Sequence, residues 1–358
     1  MNTKMFKIGY GILLLFLIIY VGSLISWIFN PFVVIFETLF IPLILAGFLF
    51  YLLRPLVKIM ENKLSKTISI ILLFFGLICI IISLLIVIGP ILQRQFYSLI
   101  NSIPFIVSEI QRGLMNIQQS ETIQRYGLNE TLNLDGVIFE IGDLINRLGK
   151  VFATEIANII GAVANAVLAL LIVPFILFYL LKEGEKFGES VLKIFNEKKR
   201  DDIQSIFKGI DKTLSAYIQG QGIVCLCVGL LCYIIFLIVG LDYALLLGVI
   251  AGVTNIIPYF GPWIGTVPAV IVALVQSPMM GLVVLMLVAI IQQIESSIIA
   301  PQVIGKKLKI HPIIIIFLIL IVGRLMGLIG MILAVPTYAI LKVILVHSVQ
   351  IWRLKRGS

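Results

Sequence analysis

Residues 243–275 read YALLLGVIAGVTNIIPYFGPWIGTVPAVIVALV. The run is apolar enough for a membrane, yet Pro258, Pro262 and Pro268 fall at its centre with Gly261 and Gly265 between them. Proline removes a backbone donor and crowds the preceding turn, so an unbroken helix is not expected. The apolar pieces on either side, about 15 and about 13 residues, each fall short of the roughly 20 residues that a crossing needs. Irregular backbone survives at membrane depth only where protein or a wet cavity satisfies it. The expected solution is a re-entrant hairpin of two half-helices, broken over 254–268.

Charge placement supports the hairpin. If 243–275 crossed once, the span at 279–300 would carry Lys306, Lys307 and Lys309 outside; an entering and returning hairpin leaves them in the cytoplasm, as basic loops prefer. Residues 311–347 pose the same problem, because one straight helix of that length would reach about 55 Å against a core of roughly 30 Å. Gly323, Gly327 and Gly330 mark the expected interruption. A second hairpin there, broken over 323–336 and including Pro336, returns Arg353, Lys355 and Arg356 to the cytoplasm. The tips also echo each other: GPWIGTVPA and GLIGMILAVPTYA both run from spaced glycines into Val-Pro.

Upstream, residues 8–28, 32–53 and 67–92 are expected as three spans, making 1–92 an amino-terminal unit with a tight turn at Asn30-Pro31. Arg54, Lys58, Lys63 and Lys66 put the second loop, and so the amino terminus, in the cytoplasm. Residues 93–150 are expected outside. There Phe96, Leu99, Ile100, Ile103, Val107, Ile110, Leu114 and Ile117 recur at helical spacing, and so do Val137, Ile141, Leu144, Ile145 and Leu148. These stripes suit a membrane surface or a neighbouring subunit. A fourth span over 151–181 leads to a charge-laced cytoplasmic helical connector, 182–212, with eight Lys or Arg and seven Asp or Glu. The fifth span, 213–239, opens the carboxy-terminal core, 213–347, and 348–358 form a basic cytoplasmic tail.

Of 358 residues, 60% are hydrophobic and 13% charged, against about 25% charged in soluble domains. Too few charges remain to coat a soluble core, so the class is an all-α polytopic integral membrane protein with about six full spans and two re-entrant broken-helix hairpins. The net charge of +9 is read as topology rather than nucleic-acid binding. Cys79, Cys225, Cys227 and Cys232 lie in apolar runs without metal spacing. There is no GxxxxGK[ST] for ATP, and His311 and His347 form no HExxH, so an enzyme is the weakest class. No cofactor and no bound metal other than Na+ is expected.

Several runs resemble the autoinducer-2 exporter (AI-2E) family of bacterial membrane proteins. They are PFILFYLLKEG at 174–184, the GPxxGxxPA core at 261–269, ESSIIAPQVIG at 295–305, and Gly323-Arg324, Gly327, Gly330 and Ala334-Val335-Pro336. The resemblance covers the chain from about residue 170 onward. It implies a homo-oligomeric inner-membrane transporter exporting the quorum-sensing signal autoinducer-2, or a Na+(Li+)/H+ antiporter.

Ionisable groups inside lipid are costly and usually face a cavity or a partner. At regular helical spacing Gln292, Glu295, Ser296 and Ile299 share a face. A carboxylate there can exchange a proton or hold Na+ beside amide and hydroxyl oxygens; the bland alternatives are a pairing with Arg324 or a place in water. Arg324 could bind an anionic or polyhydroxylated solute or neutralise Glu295. Thr254 and Asn255 precede the first tip, where open half-helix ends attract polar groups. The Gly and Pro residues of both tips are hinges or simply packing; Gln219 and Gln221 are weaker candidates, and Glu37, Glu155 and Asp242 are assigned to boundaries. The leading expectation is a secondary transporter of a small polar solute or monovalent cation coupled to H+. A passive channel or facilitator and a non-transporting scaffold remain the alternatives.

Overall fold

The computed structural model describes residues 9–17, 20, 26–118, 143, 147, 167–193, 197–304 and 311–356. Among them there is no strand. Residues 9–17 are helical, followed by α1 (Ser26–Glu61), α2 (Lys66–Val87), α3 (Gly89–Gln118), α4 (Val167–Lys193) and α5 (Glu197–Ile238). Next come α6 (Ala244–Thr254), α7 (Phe260–Gln276), α8 (Pro278–Ile294), a π-helical turn at Glu295–Ile299, α9 (Ala300–Val303) and α10 (Pro312–Arg356). Five helical stretches are long and apolar enough to cross a membrane by length and composition. The chain is a multi-pass membrane protein, and many of its Ile, Leu and Phe side chains are exposed, as contact with lipid requires.

Several expected boundaries move. The turn at Asn30-Pro31 is absent: α1 runs through Pro31, Pro42 and Pro55. In lipid the backbone has no water to turn to, so a proline among apolar residues is accommodated within the helix rather than ending it. The third span stops at Val87, and Gly89-Pro90 already starts the amphipathic helix α3. α4 passes Pro174 and continues to Lys193, so the charged connector is the end of one helix and the start of the next. The second external stripe, most of the first span, residues 151–166, the Lys306–Lys309 cluster and the side chains of Arg353, Lys355 and Arg356 lie outside the described residues.

The packing divides into two halves. In the amino-terminal half, Ala46, Leu53 and Val57 of α1 bury against Ile70 of α2 and Val173, Leu177 and Leu181 of α4. In the carboxy-terminal half, α5 presents Val224, Val228 and Phe236 to Leu247 of α6, Ala273 of α7 and Ile291 of α8. Backbones touch where α5 meets α6: a Cβ on Gly229 would stand 3.2 Å from the Gly252 Cα. Small residues permit such approach in membranes, where apolar burial alone does not favour helix over lipid. Arg54 at the end of α1 donates to both oxygens of Asp211 on α5, each at 2.8 Å, which ties the halves together.

Both hairpins are present as helical reversals. The first breaks over only Asn255–Tyr259, narrower than the expected 254–268. Pro262 sits in the first turn of α7, where its missing N–H has no intrahelical partner to lose, and Pro268 is accommodated inside α7. The second turns at Gly327 (φ 62°, ψ −145°), a conformation that requires glycine. Its arms fold back: a Cβ on Gly330 would collide with the Val322 carbonyl, and one on Gly323 would meet Met331. Pro336 is buried in the returning arm.

The helix α3 holds the first hairpin. Gln95 Oε1 accepts the Leu246 N–H at 2.9 Å, and Ser98 and Tyr243 share a hydroxyl hydrogen bond at 3.2 Å. Gln95 thereby satisfies one of the open donors at the α6 amino end, which Tyr243 (φ 59°) leaves without a side-chain cap of its own.

Candidate functional site

The first hairpin closes because Gly261 lacks a side chain. A Cβ there would collide with the Thr254 carbonyl and the Asn255 Cα, while one on Gly265 would press on Ala251 and the Thr254 hydroxyl. The turn is held by Ile257 N–H to the Thr254 carbonyl (3.0 Å) and Gly261 N–H to the Ile257 carbonyl (2.8 Å). Tyr259, at φ 65°, carries the strain of so short a reversal.

This reversal delivers Asn255 to the interior, 1% exposed. Gln221 of α5, 6% exposed, donates its Nε2 to the Asn255 backbone carbonyl at 2.7 Å. Asn255 Nδ2 donates in turn to Glu295 Oε1 at 3.3 Å. Glu295 Oε2 is buried, and no hydrogen bond satisfies it among the described residues. Three elements therefore converge on one carboxylate: α5 fixes the tip, the tip fixes one oxygen, and the other oxygen stays open. One turn before Gln221, the hydroxyl of Tyr217 is also buried without a partner among the described residues. It belongs to one buried cluster with Ile257 of the first tip and Ile315, Ile319, Ala334 and Val335 of α10, so both hairpins contribute to that cluster.

Glu295 opens the π-helical turn. A π turn holds more residues than an α turn, and such turns are frequent at functional sites. It also undoes the face expected from regular spacing. Ser296 is exposed and its hydroxyl donates to the Gln293 carbonyl at 3.2 Å, so it does not join Glu295. Gln292 is half-buried on the preceding turn. Thr254 spends its hydroxyl on the Ile250 carbonyl of its own helix at 2.8 Å. Arg324 is exposed on the second hairpin and has no ion pair among the described residues; the partner of Glu295 is Asn255.

In the sequence Gln221 is one of the weaker candidates, and the Tyr217 hydroxyl does not stand out. The available signal was their spacing, since Tyr217, Gln221 and Cys225 recur every four residues on α5 and so share a face. Gln219, by contrast, reaches the amino-terminal half, donating to the Tyr51 carbonyl at 2.8 Å.

A multi-pass helical bundle that turns a hairpin inside itself toward a buried carboxylate with one unsatisfied oxygen has the build of a membrane transporter or permease. The chain belongs to the AI-2E family: the model described as AI-2E family transporter matches residues 13–350. It is 37% identical over 347 residues to YueF of Bacillus subtilis (strain 168), covering 97% of this chain and 94% of that one. It is 36% identical over 346 residues to YrrI of the same organism, 94% of each. Both relatives bear provisional names as transport proteins. PerM of Escherichia coli (strain K12), provisionally named a permease, is 27% identical over 320 residues, 87% of each.

Proposed function

We propose that this protein is a secondary transporter of the bacterial inner membrane, with both termini cytoplasmic, working as a homo-oligomer. It exports a small polar solute of the autoinducer-2 type, or Na+ or Li+, in exchange for H+. The observation that carries the reading is the open Oε2 of Glu295 beside a hairpin tip held by Gln221. An unpaired carboxylate inside a membrane is retained at a cost that transport coupling explains and packing does not.

The mechanism follows from the wiring. Glu295 exchanges its proton for the transported cation or for a hydroxyl of the solute, and Asn255 reports the exchange to the first tip through its side-chain amide. The hairpin-bearing half then rocks against α1, α2 and α4, parting the two hairpins over Tyr217. Arg324, on the second hairpin, meets the solute on its way through. Gly261, Gly265, Gly323, Gly327 and Gly330, with Pro258, Pro262, Pro268 and Pro336, shape the tips on which this motion turns.

The test is flux in proteoliposomes that hold an internal pH dye, after a Na+ or Li+ pulse across a preset proton gradient. Wild type is expected to give a proton signal and Glu295→Gln to give none at equal reconstitution. An unchanged signal in the variant removes Glu295 from coupling. Silence in both proteins removes cation exchange and leaves the organic solute, read by export of a labelled small polyol.

A further inference from the structure

At the end of the amino-terminal half that the basic loop is expected to place in the cytoplasm, a cleft opens between α1, α2 and α4, lined by Phe50, Arg54, Lys58, Lys66 and Leu181, and by one carboxylate, Glu61. Its cations are not equivalent. Arg54 is engaged by Asp211 and lies over the Phe50 ring, 5.4 Å from its centroid. Lys58 and Lys66 have no carboxylate within ion-pair distance among the described residues, Glu61 included.

The start of α2 sharpens the imbalance. Ser65 occupies the N-cap position in extended conformation but its side chain caps nothing, and the first turn holds no acid. The first intrahelical bond runs from the Ser69 N–H to the Ser65 carbonyl, so the amides of Lys66, Thr67 and Ile68 remain open within the helix. Lys66 adds a positive charge at the positive end of the helix dipole, an arrangement that costs energy unless an anion sits there. Ser69 lies one turn further along α2. It is 0% exposed, and its hydroxyl has no partner among the described residues. A helical side chain leans toward the amino end, the end at which Lys66 lines the cleft; Ser69 itself does not line it.

We infer that this cleft binds the headgroup phosphate of an anionic phospholipid. Lys58, Lys66 and the open amides of α2 supply donors for the phosphate oxygens. The hydrocarbon chains follow from the walls: Leu180 and Leu181 line the cleft, and Leu56, Ile59 and Ile68 beside it are 46%, 67% and 51% exposed on the lipid-facing surface. A soluble phosphate uses none of that apolar surface, which is why a lipid is the better fit. The site sits beside the Arg54–Asp211 tie, so its occupant steadies the junction of the two halves. It is separate from Glu295 and does not depend on the transport reading.

The experiment uses the full chain in detergent, with binding followed by native mass spectrometry and by thermal unfolding as phosphatidylglycerol or phosphatidylcholine is added. Wild type is expected to retain phosphatidylglycerol in preference to phosphatidylcholine. Lys58→Gln with Lys66→Gln should raise the half-saturating phosphatidylglycerol by roughly thirtyfold, the effect of two lysine charges at a membrane surface. Lys63→Gln, an exposed charge on the same loop but outside the cleft, should leave binding unchanged. If the double variant does not fold, Lys58→Gln alone serves, with an expected loss of about fivefold. Equal retention of phosphatidylcholine overturns the proposal, and so does an equal loss in Lys63→Gln. Millimolar inorganic phosphate that stabilises the lipid-free protein as strongly as phosphatidylglycerol assigns the cleft to a soluble anion and overturns the lipid.

Discussion

The two hairpins look alike in sequence and are built differently. The first reverses over five residues, Asn255–Tyr259, buries an amide at its tip and is wired through that amide to α5 and to Glu295. The second reverses at one glycine, Gly327, packs its arms through Val322, Met331 and Ala334, and buries no amide or carboxylate among the described residues. A turn with polar contacts to two neighbours can sense a change of charge at Glu295. A turn closed by apolar packing can only follow. The lesson is that spaced glycines before a Val-Pro specify a reversal, while a single asparagine decides whether the reversal has chemistry.

Substitutions that separate wired from packed turns break or sharpen this comparison. Gly261→Ala has the largest expected effect, because the new methyl meets backbone of the other arm and neither strand of a five-residue turn can yield; a loss of about 3 kcal/mol or more is expected in thermal unfolding. Gln221→Leu leaves the Asn255 carbonyl buried without its donor. It should cost about 2 kcal/mol and weaken proton coupling without abolishing assembly, whereas an unfolding curve identical to wild type would detach α5 from the tip. Gly327→Ala is expected to cost less than Gly261→Ala, about 2 kcal/mol, from backbone strain alone, since nothing stands within 4 Å of the added carbon. Should Gly327→Ala prove costlier than Gly261→Ala, the second hairpin is the more constrained of the two and the comparison inverts.

Much of this layout was legible in the chain because lipid is a demanding solvent. Long apolar runs must be helices, and a run with Pro258 at its centre must break. What local rules misjudged was severity. Pro31 is expected to turn the chain, yet α1 passes through it, because the apolar flanks have no aqueous alternative. The face joining Gln292, Glu295 and Ser296 assumed 3.6 residues per turn, and the π turn at Glu295 rotates Ser296 away. Charge alone offers Arg324 as one alternative partner for Glu295; Arg324 is exposed, and Asn255 is the group within hydrogen-bond distance.

The sequence by itself determined the solvent, the helical class, the two points of reversal and the family, since each depends on composition or on residues adjacent in the chain. Only the tertiary structure decided which polar groups meet. Gln221, Asn255 and Glu295 are separated by tens of residues, and a hydrogen bond between them exists only after α5, the first tip and the π turn have packed. That packing is set by the close approach at Gly229, Gly252 and Gly261, where the absence of a side chain lets distant backbones touch.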